Sequence, residues 1–318
     1  MKKVLVTGAS GFVGGYLIDH LLKTTEYKIY GTYLADESRA NLEKYQGKIK
    51  LTKINLNDEE KVFSLIKDIN PDLIFHLAAS TSPADSFKNP KDTLINNISS
   101  EINILEALKK LNLSETRILI VSSADVYGNV NNKNLPINED CPLNPTDPYG
   151  VSKIAQDFLG LQYFNAYNLK TIRVRAFNHI GPGQSPNFVV SAFAKRIAEI
   201  EKTSLEEITV GNLDAKRDFT DVRDMVKAYS LIIEKGKPGD VYNIGSGRSD
   251  KISEVLDSLI NFSNKKISVK IDKDLLRPID NPELVCDATK INGIIGWKAE
   301  IPLNKTLEDT LNYWRKQI

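Results

Sequence analysis

An apolar strand that runs straight into a glycine turn and then a helix opens the chain, and few other beginnings restrict a fold so tightly. Val4-Leu5-Val6-Thr7 has strand length and composition, Gly8-Ala-Ser-Gly11-Phe-Val-Gly14 follows, and Val13, Tyr16, Leu17 and Leu21 then recur at helical spacing. Residues without a Cβ permit the tight turn and let the backbone approach a pyrophosphate, which the free N–H groups and dipole of the next helix would hold. The spacing is G-x-x-G-x-x-G, not the commoner G-x-G-x-x-G, so a plain strand-to-helix connection stays open as the alternative. Its place directly after the first apolar strand favours dinucleotide binding.

Apolar runs at 28–33, 49–54, 73–77, 118–121 and 171–175 alternate with amphipathic stretches. This alternation predicts an α/β protein with a doubly wound parallel Rossmann sheet. After Asn178 the character changes, with Gly181-Pro-Gly183 and Ser185-Pro-Asn187 ahead of a helix at about 188–201, so a smaller C-terminal α/β substrate lobe is expected to start there. The expected division is discontinuous: residues 1–177 and 219–250 form the dinucleotide-binding domain, and 178–218 with 251–318 form the lobe.

Two further elements carry chemistry. Tyr149 lies four residues before Lys153, a spacing that puts both side chains on one helix face, so the ammonium can favour the phenolate. The apolar run 118–121 delivers Ser122 and Ser123 to its carboxyl end, where ligands of open α/β sheets bind, and Ser123 is placed to hydrogen-bond a carbonyl or alcohol. A serine-rich turn that only caps the strand is the bland alternative. The loop 130–148 connects this strand to the Tyr149 helix and can also cover a substrate.

Composition narrows the partners. With 42 Lys and Arg against 41 Asp and Glu, the formal charge is +1, which argues against nucleic acid and makes any diphosphate-holding cation local. Two cysteines without metal-type spacing, and no apolar run of membrane-spanning length, predict a cytoplasmic protein with reduced thiols. His20 and His76 read as packed residues, and no metal site is expected.

Taken together, Thr7-Gly8-Ala-Ser-Gly11-Phe-Val-Gly14, Leu77-Ala78-Ala79, Asn97, Ser122-Ser123 through Tyr127-Gly128, and Tyr149-x-x-x-Lys153 resemble the extended short-chain dehydrogenase/reductase family, which modifies nucleotide sugars. The resemblance spans nearly the whole chain. Within the family, the segments 177–185, 210–224 and 276–278 look most like the reductases of GDP-4-keto-6-deoxy-D-mannose, which make GDP-D-rhamnose.

This likeness implies a catalytic set of Ser123, Tyr149 and Lys153, with hydride transfer to a sugar ketone, proton supply by Tyr149 and carbonyl binding by Ser123. It assigns the cofactor to Gly8, Ser10, Gly11, Phe12, Val13, Gly14, Asn55, Leu56, Leu77, Ala78, Ala79, Asn97, Ser122, Phe177 and His179, together with Tyr149 and Lys153. Asparagine at 55 departs from the acid that relatives usually carry there. The second strand lacks an acid for a ribose 2′-hydroxyl, with Gly31 where one is expected. Arg39 downstream suits a 2′-phosphate as well as it suits a solvated loop, so NADP is preferred to NAD. The GDP-linked deoxyhexose falls to Asp125, Asn178, Asn187, Arg217 and Arg277.

Asp125 also sits where related dehydratases carry a glutamate that drives water elimination, and Ala124 where those acting on dTDP-sugars add an acid. A GDP-mannose 4,6-dehydratase, a 4-epimerase, and a reductase forming GDP-6-deoxy-D-talose are the alternatives. A non-catalytic nucleotide-binding regulator would have lost one of the three catalytic residues. A homodimer through helices at about 97–111 and 149–167 is implied by the family likeness.

Overall fold

A computed structural model describes residues 1–275 and 281–318, without the side chains of Glu37, Arg39, Ala40 and Lys273. Its first half alternates strictly between strands β1 (Lys3–Thr7), β2 (Lys28–Tyr33), β3 (Lys50–Lys53), β4 (Leu73–His76), β5 (Arg117–Ser123) and β6 (Lys170–Ala176) and the helices that connect them. Those helices are α1 (Phe12–Thr24), α2 (Glu59–Ile69), α3 (Pro83–Lys88), α4 (Pro90–Lys110) and α5 (Pro148–Tyr167); a 3-10 segment, Asp36–Tyr45, leads from β2 to β3. The second half contains β7 (Asn178–Ile180), α6 (Val189–Glu201), β8 (Glu207–Val210), β9 (Lys216–Arg217), β10 (Phe219–Asp221), α7 (Val222–Lys235) and β11 (Val241–Ile244). It continues with β12 (Asp250–Lys251), α8 (Ile252–Asn261), β13 (Ser268–Ile271), β14 (Glu283–Leu284), α9 (Thr289–Ile295) and α10 (Leu303–Gln317).

Seven strands form one parallel sheet in the order β11-β6-β5-β4-β1-β2-β3. Its order reverses between β1 and β4, and a sheet of this kind binds ligands in the crevice beyond the carboxyl ends at that switch point. The alternating side chains of the strands explain the two layers around it. Val4, Val6, Leu119, Val174 and Ile244 join Leu17 and Leu21 of α1 and Tyr229 and Ile232 of α7 on one face. Leu5, Ile74, Ile118 and Ile120 meet Val62, Ile66, Ile104 and Leu108 of α2 and α4 on the other. A separate cluster under the second half packs α6, α8 and α10 through residues such as Phe193, Ile197, Leu256, Leu259 and Leu307.

One part of the expected lobe departs from its assignment. Ile291 and Ile295 of α9, with Trp297, pack into the core that lies against the main sheet, and the Trp297 indole donates to the Asp224 carbonyl on α7 at 3.1 Å. A short apolar stretch does not reveal which of two neighbouring cores it will fill.

The central strand β6 carries an exception to its apolar pattern. Arg173 and Arg175 point to the α5 side, and both ion-pair with Asp157, which is fully buried, at 2.7 and 2.8 Å. Arg175 also donates to the Tyr127 hydroxyl at 3.0 Å, which in turn donates to Asn243 Oδ1 at 2.7 Å. This network ties the turn after β5 to β6, β11 and α5, and so fixes where Ser123 and Asp125 sit. Removing one partner of a buried pair strands the other charges in low dielectric. Asp157→Leu is therefore expected to destabilise the fold by about 3–5 kcal/mol in urea unfolding, and a loss below about 1 kcal/mol would show that the guanidiniums find other partners.

Among the described residues, no helix is long and apolar enough to cross a membrane, and no cluster of three or more His, Cys, Asp or Glu could hold a metal.

Candidate active site

The carboxyl ends of β1, β2, β4, β5 and β6 open into one cavity of about 650 Å³. Its near wall is built at the switch point. Gly8 has φ +67°, and a Cβ there would lie 3.0 Å from the Ala78 backbone, so this residue lets the ends of β1 and β4 close to contact. Thr7 locks them: its hydroxyl oxygen accepts from the backbone N–H groups of Leu77 and Ala78, each at 3.1 Å, and bonds His76 Nδ1 at 2.9 Å. Gly11 N–H donates back to the Gly8 carbonyl at 3.0 Å, which completes the turn ahead of α1.

Nearly all of the assigned cofactor residues meet at this cavity. Gly8, Ser10, Gly11, Phe12, Val13 and Gly14 line it from the glycine turn, and Leu77, Ala78 and Ala79 from the end of β4. Asn55 and Leu56 line it after β3, and Ser122, Phe177 and His179 after β5 and β6. The Asn55 side-chain Oδ1 already accepts from Asn57 N–H at 3.0 Å, which leaves its Nδ2 to offer a ligand. His179 stacks flat on Phe12, at 6.4 Å and 5° between rings, and burial lowers its pKa, so the imidazole is neutral.

Three assignments need correction. Asn97 does not line the cavity. It is fully buried, its amide holds both backbone groups of Ser80, at 2.7 and 3.0 Å, and it donates to Ser152 Oγ at 2.9 Å, so it supports the wall from behind. Asn187 is exposed and also lies outside the lining, because the turn before α6 directs Gln184, Ser185 and Phe188 inward instead. Gly31 is not the residue at the end of β2: a Cβ there would meet Ala9 Cβ at 2.8 Å, so its role is close packing, while Tyr33, Leu34, Ala35 and Ser38 border the cavity. None of those four is acidic. Arg277 and the Arg39 side chain lie outside the described residues.

The residues expected to be catalytic, Ser123, Tyr149 and Lys153, converge on the far wall. Tyr149 stands in the first turn of α5, whose amino end is capped by Asp147 accepting from Gly150 N–H at 2.7 Å. Within the helix Ser152 Oγ donates to the Tyr149 carbonyl at 2.7 Å, and Ser122 Oγ ties the helix to β5 by donating to the Lys153 carbonyl at 3.1 Å. Lys153 Nζ donates to the Val121 carbonyl at 2.8 Å and lies 5.8 Å from the Tyr149 ring centre. Ser123, with its hydroxyl oxygen accepting from Asp125 N–H at 3.1 Å, faces the phenol from the end of β5.

Burial dominates the electrostatics here, and it reverses one expectation. Tyr149 is pushed far above its ordinary pKa, chiefly by desolvation and then by the Asp125 charge, with the Ser123 hydrogen bond pulling the other way. Lys153 is itself lowered to about 8 by burial, with Glu101 raising it. Lys153 thus does not by itself turn the phenol into a phenolate in this site, because both groups have left water.

Asp125, Asn178 and Arg217 line the outer part of the cavity, Arg217 donating to the carbonyls of Lys216 and Asn281 at 2.8 and 2.7 Å. Several lining residues had no sequence signal. Gln184 donates to the His179 carbonyl at 2.9 Å with its own amide oxygen buried and unpaired, and Asn281 and Tyr229 also carry buried polar atoms without partners. Thr7, which stands behind the lining, was open to inference from its place directly before the first glycine.

Residues 5–310 match the family described as GDP-mannose 4,6 dehydratase. The chain belongs to this family. It is 32% identical to GDP-6-deoxy-D-mannose reductase of Pseudomonas aeruginosa, over 100% of this chain and 98% of that protein. It is 28% identical to GDP-mannose 4,6 dehydratase 1 of Arabidopsis thaliana, over 96% of this chain and 88% of that one. Among solved structures it is similar to RMD from Pseudomonas aeruginosa complexed with NADPH, with a TM-score of 0.87, 31% identity and full coverage of both chains. UDP-glucose 4-epimerase of Thermotoga maritima with UDP-glucose matches at a TM-score of 0.90 and 27% identity, over 99% of each chain. The family thus comprises oxidoreductases of the extended short-chain dehydrogenase/reductase type, acting on nucleotide sugars, and includes reductases beside dehydratases and epimerases.

The wall that Thr7 builds can be tested by itself. Thr7→Val removes the oxygen that serves two buried N–H groups, and should cost about 1–3 kcal/mol in denaturant unfolding. Unchanged stability would mean that Leu77 and Ala78 find their hydrogen bonds elsewhere.

Proposed function

We propose that this protein reduces the 4-keto group of GDP-4-keto-6-deoxy-D-mannose with NADPH, giving GDP-D-rhamnose. The observation that carries the reading is the convergence of Ser123, Tyr149 and Lys153 on the cavity that the glycine turn also lines, with Ala124 offering no acid beside Asp125. The full-length likeness to the Pseudomonas reductase supports the same direction.

Bound reduced nicotinamide would supply the hydride to carbon 4. The protein does the rest. The Ser123 hydroxyl donates to the ketone oxygen and holds it beside the phenol, Tyr149 gives that oxygen its proton as the carbonyl becomes an alcohol, and charged Lys153 stabilises the phenolate left behind. Water then reprotonates Tyr149 when the product leaves. Lys153 would also hold the ribose next to the nicotinamide, so one residue would orient and stabilise. NADPH is preferred to NADH because no described residue that borders the cavity after β2 offers a carboxylate to a ribose 2′-hydroxyl. RMD, the similar structure, holds NADPH.

At the substrate end, Arg217 and Arg277 are assigned to the diphosphate, and Asp125 and Asn178 to sugar hydroxyls. Ala124 offers no acid beside the short Asp125 carboxylate, which disfavours water elimination from carbons 5 and 6. Ile95, Val151, Phe158 and Tyr167 expose apolar surface on α4 and α5, which suits the proposed homodimer of a cytoplasmic enzyme.

The test is the fate of the hydride. With NADPH deuterated at the reactive position of the nicotinamide, the product should carry deuterium at carbon 4 with the rhamno configuration. Deuterium with the talo configuration would assign the other face of the ketone, and a product without deuterium would refute the reduction. Tyr149→Phe should lower kcat by about 10²–10⁴-fold while NADPH still binds, and full turnover by this variant would remove Tyr149 from proton transfer.

A further inference from the structure

Behind the catalytic wall lies a second, sealed group of polar side chains. Glu101 of α4 is fully buried, and neither of its carboxyl oxygens has a hydrogen-bond partner. Such a carboxyl is costly unless a charge elsewhere answers it. The register of the two helices places one opposite. Asn97 of α4 bonds Ser152 of α5, so Glu101, one turn further along α4, faces the next turn of α5, where Lys153, Gln156 and Asp157 stand. Asp157 is satisfied by Arg173 and Arg175, and Gln156 is neutral. Lys153 is the remaining cation, 4% exposed and bonded only to the Val121 carbonyl among the contacts within hydrogen-bond distance.

We propose that Glu101 is a positioning residue for the proton transfer, a buried counter-charge that keeps the Lys153 ammonium charged beside Tyr149. The inference rests on the reading that Tyr149 and Lys153 form the acid and its electrostatic support. Without a counter-charge, burial strips a lysine of its proton, and a neutral amine would no longer stabilise the phenolate formed as the sugar is reduced. The other groups around the ammonium do not replace Glu101. His76, on β4, is held neutral, lowered to about 3 by burial and by Lys153 itself. Asp157 is committed to its two arginines, while Asp125 and Tyr149 lie on the cavity side. Glu101 itself is raised well above the ordinary carboxylate range by burial, with the Lys153 charge and the neighbouring Gln156 amide drawing it back and the Asp157 charge adding to the rise. The group touches neither the cavity nor solvent, so it acts only through Lys153.

Lys153 charge can be read without catalysis. In protein labelled with [6-13C]lysine, with the Lys153 signal assigned by its loss in Lys153→Met, the titration midpoint is expected to fall by at least about half a pH unit in Glu101→Gln. Glu101→Asp, which keeps the carboxyl, should hold it close to the native value. The alkaline limb of kcat against pH should move down with the same variant, while activity below the limb is retained. An unmoved midpoint in Glu101→Gln would overturn the proposal, and so would a loss of kcat that is uniform across pH in both variants, which is what a packing role produces. If the protein fails to reduce the keto sugar at all, the function assigned above falls, yet the midpoint still decides whether Glu101 charges Lys153.

Discussion

The site depends on how closely the ends of two neighbouring parallel strands approach each other. β1 and β4 leave the sheet in opposite directions around the switch point, and a crevice forms there only if their carboxyl ends touch without blocking it. Gly8 removes the side chain that would push Ala78 away, and Thr7 supplies the single oxygen that both backbone N–H groups of the opposite turn need. Once that contact is made, the first helix points its amino end into the cavity. The turn after β4 lines one wall, and the space left over faces the ends of β5 and β6, where the residues proposed for the chemistry sit.

The opposite wall is governed by burial. The helix that carries Tyr149 and Lys153 is held to the sheet by a hydrogen bond from Ser122 and to α4 by the Asn97–Ser152 pair, and it is fastened further along by Asp157 to two strand arginines. Packing this tight removes water from phenol and ammonium together. Desolvation then raises the pKa of the phenol and lowers that of the amine, which leaves the ammonium in need of support. The polar residues under the wall therefore do more than fill space: the arginine pair fixes geometry, and the carboxyl of Glu101 lies where charge is needed.

Much of this was legible in the sequence because the elements that matter are local. The glycine turn, the serines at the end of an apolar run and the Tyr-x-x-x-Lys spacing each specify a geometry within a few residues, and the parallel, doubly wound class of the sheet follows from the alternation of strands and helices. What was not legible depends on contacts between distant segments. Asn97 stands in a helix whose buried face the sequence alone does not orient, so its role as a support, not a lining residue, follows only from its bonds to Ser80 and Ser152. Gly31 looked like a missing acid because the end of β2 lies two residues later than its apolar pattern suggests. The arginines of β6 and the glutamate of α4 contradict the rule that central strands and packed helix faces are apolar, and each makes sense only once its partner on α5 is in place. Trp297 and α9 joined the main core for the same reason.

The central claim is that the cofactor is consumed, not recycled, and the most direct measurement is the absorbance of reduced nicotinamide on mixing purified protein with NADPH and a limiting amount of GDP-4-keto-6-deoxy-D-mannose. The account predicts loss of one NADPH for each sugar reduced, ending when the sugar is exhausted. No net loss, with GDP-mannose dehydrated or epimerised by the same preparation, would contradict it and give Tyr149 the role of a base.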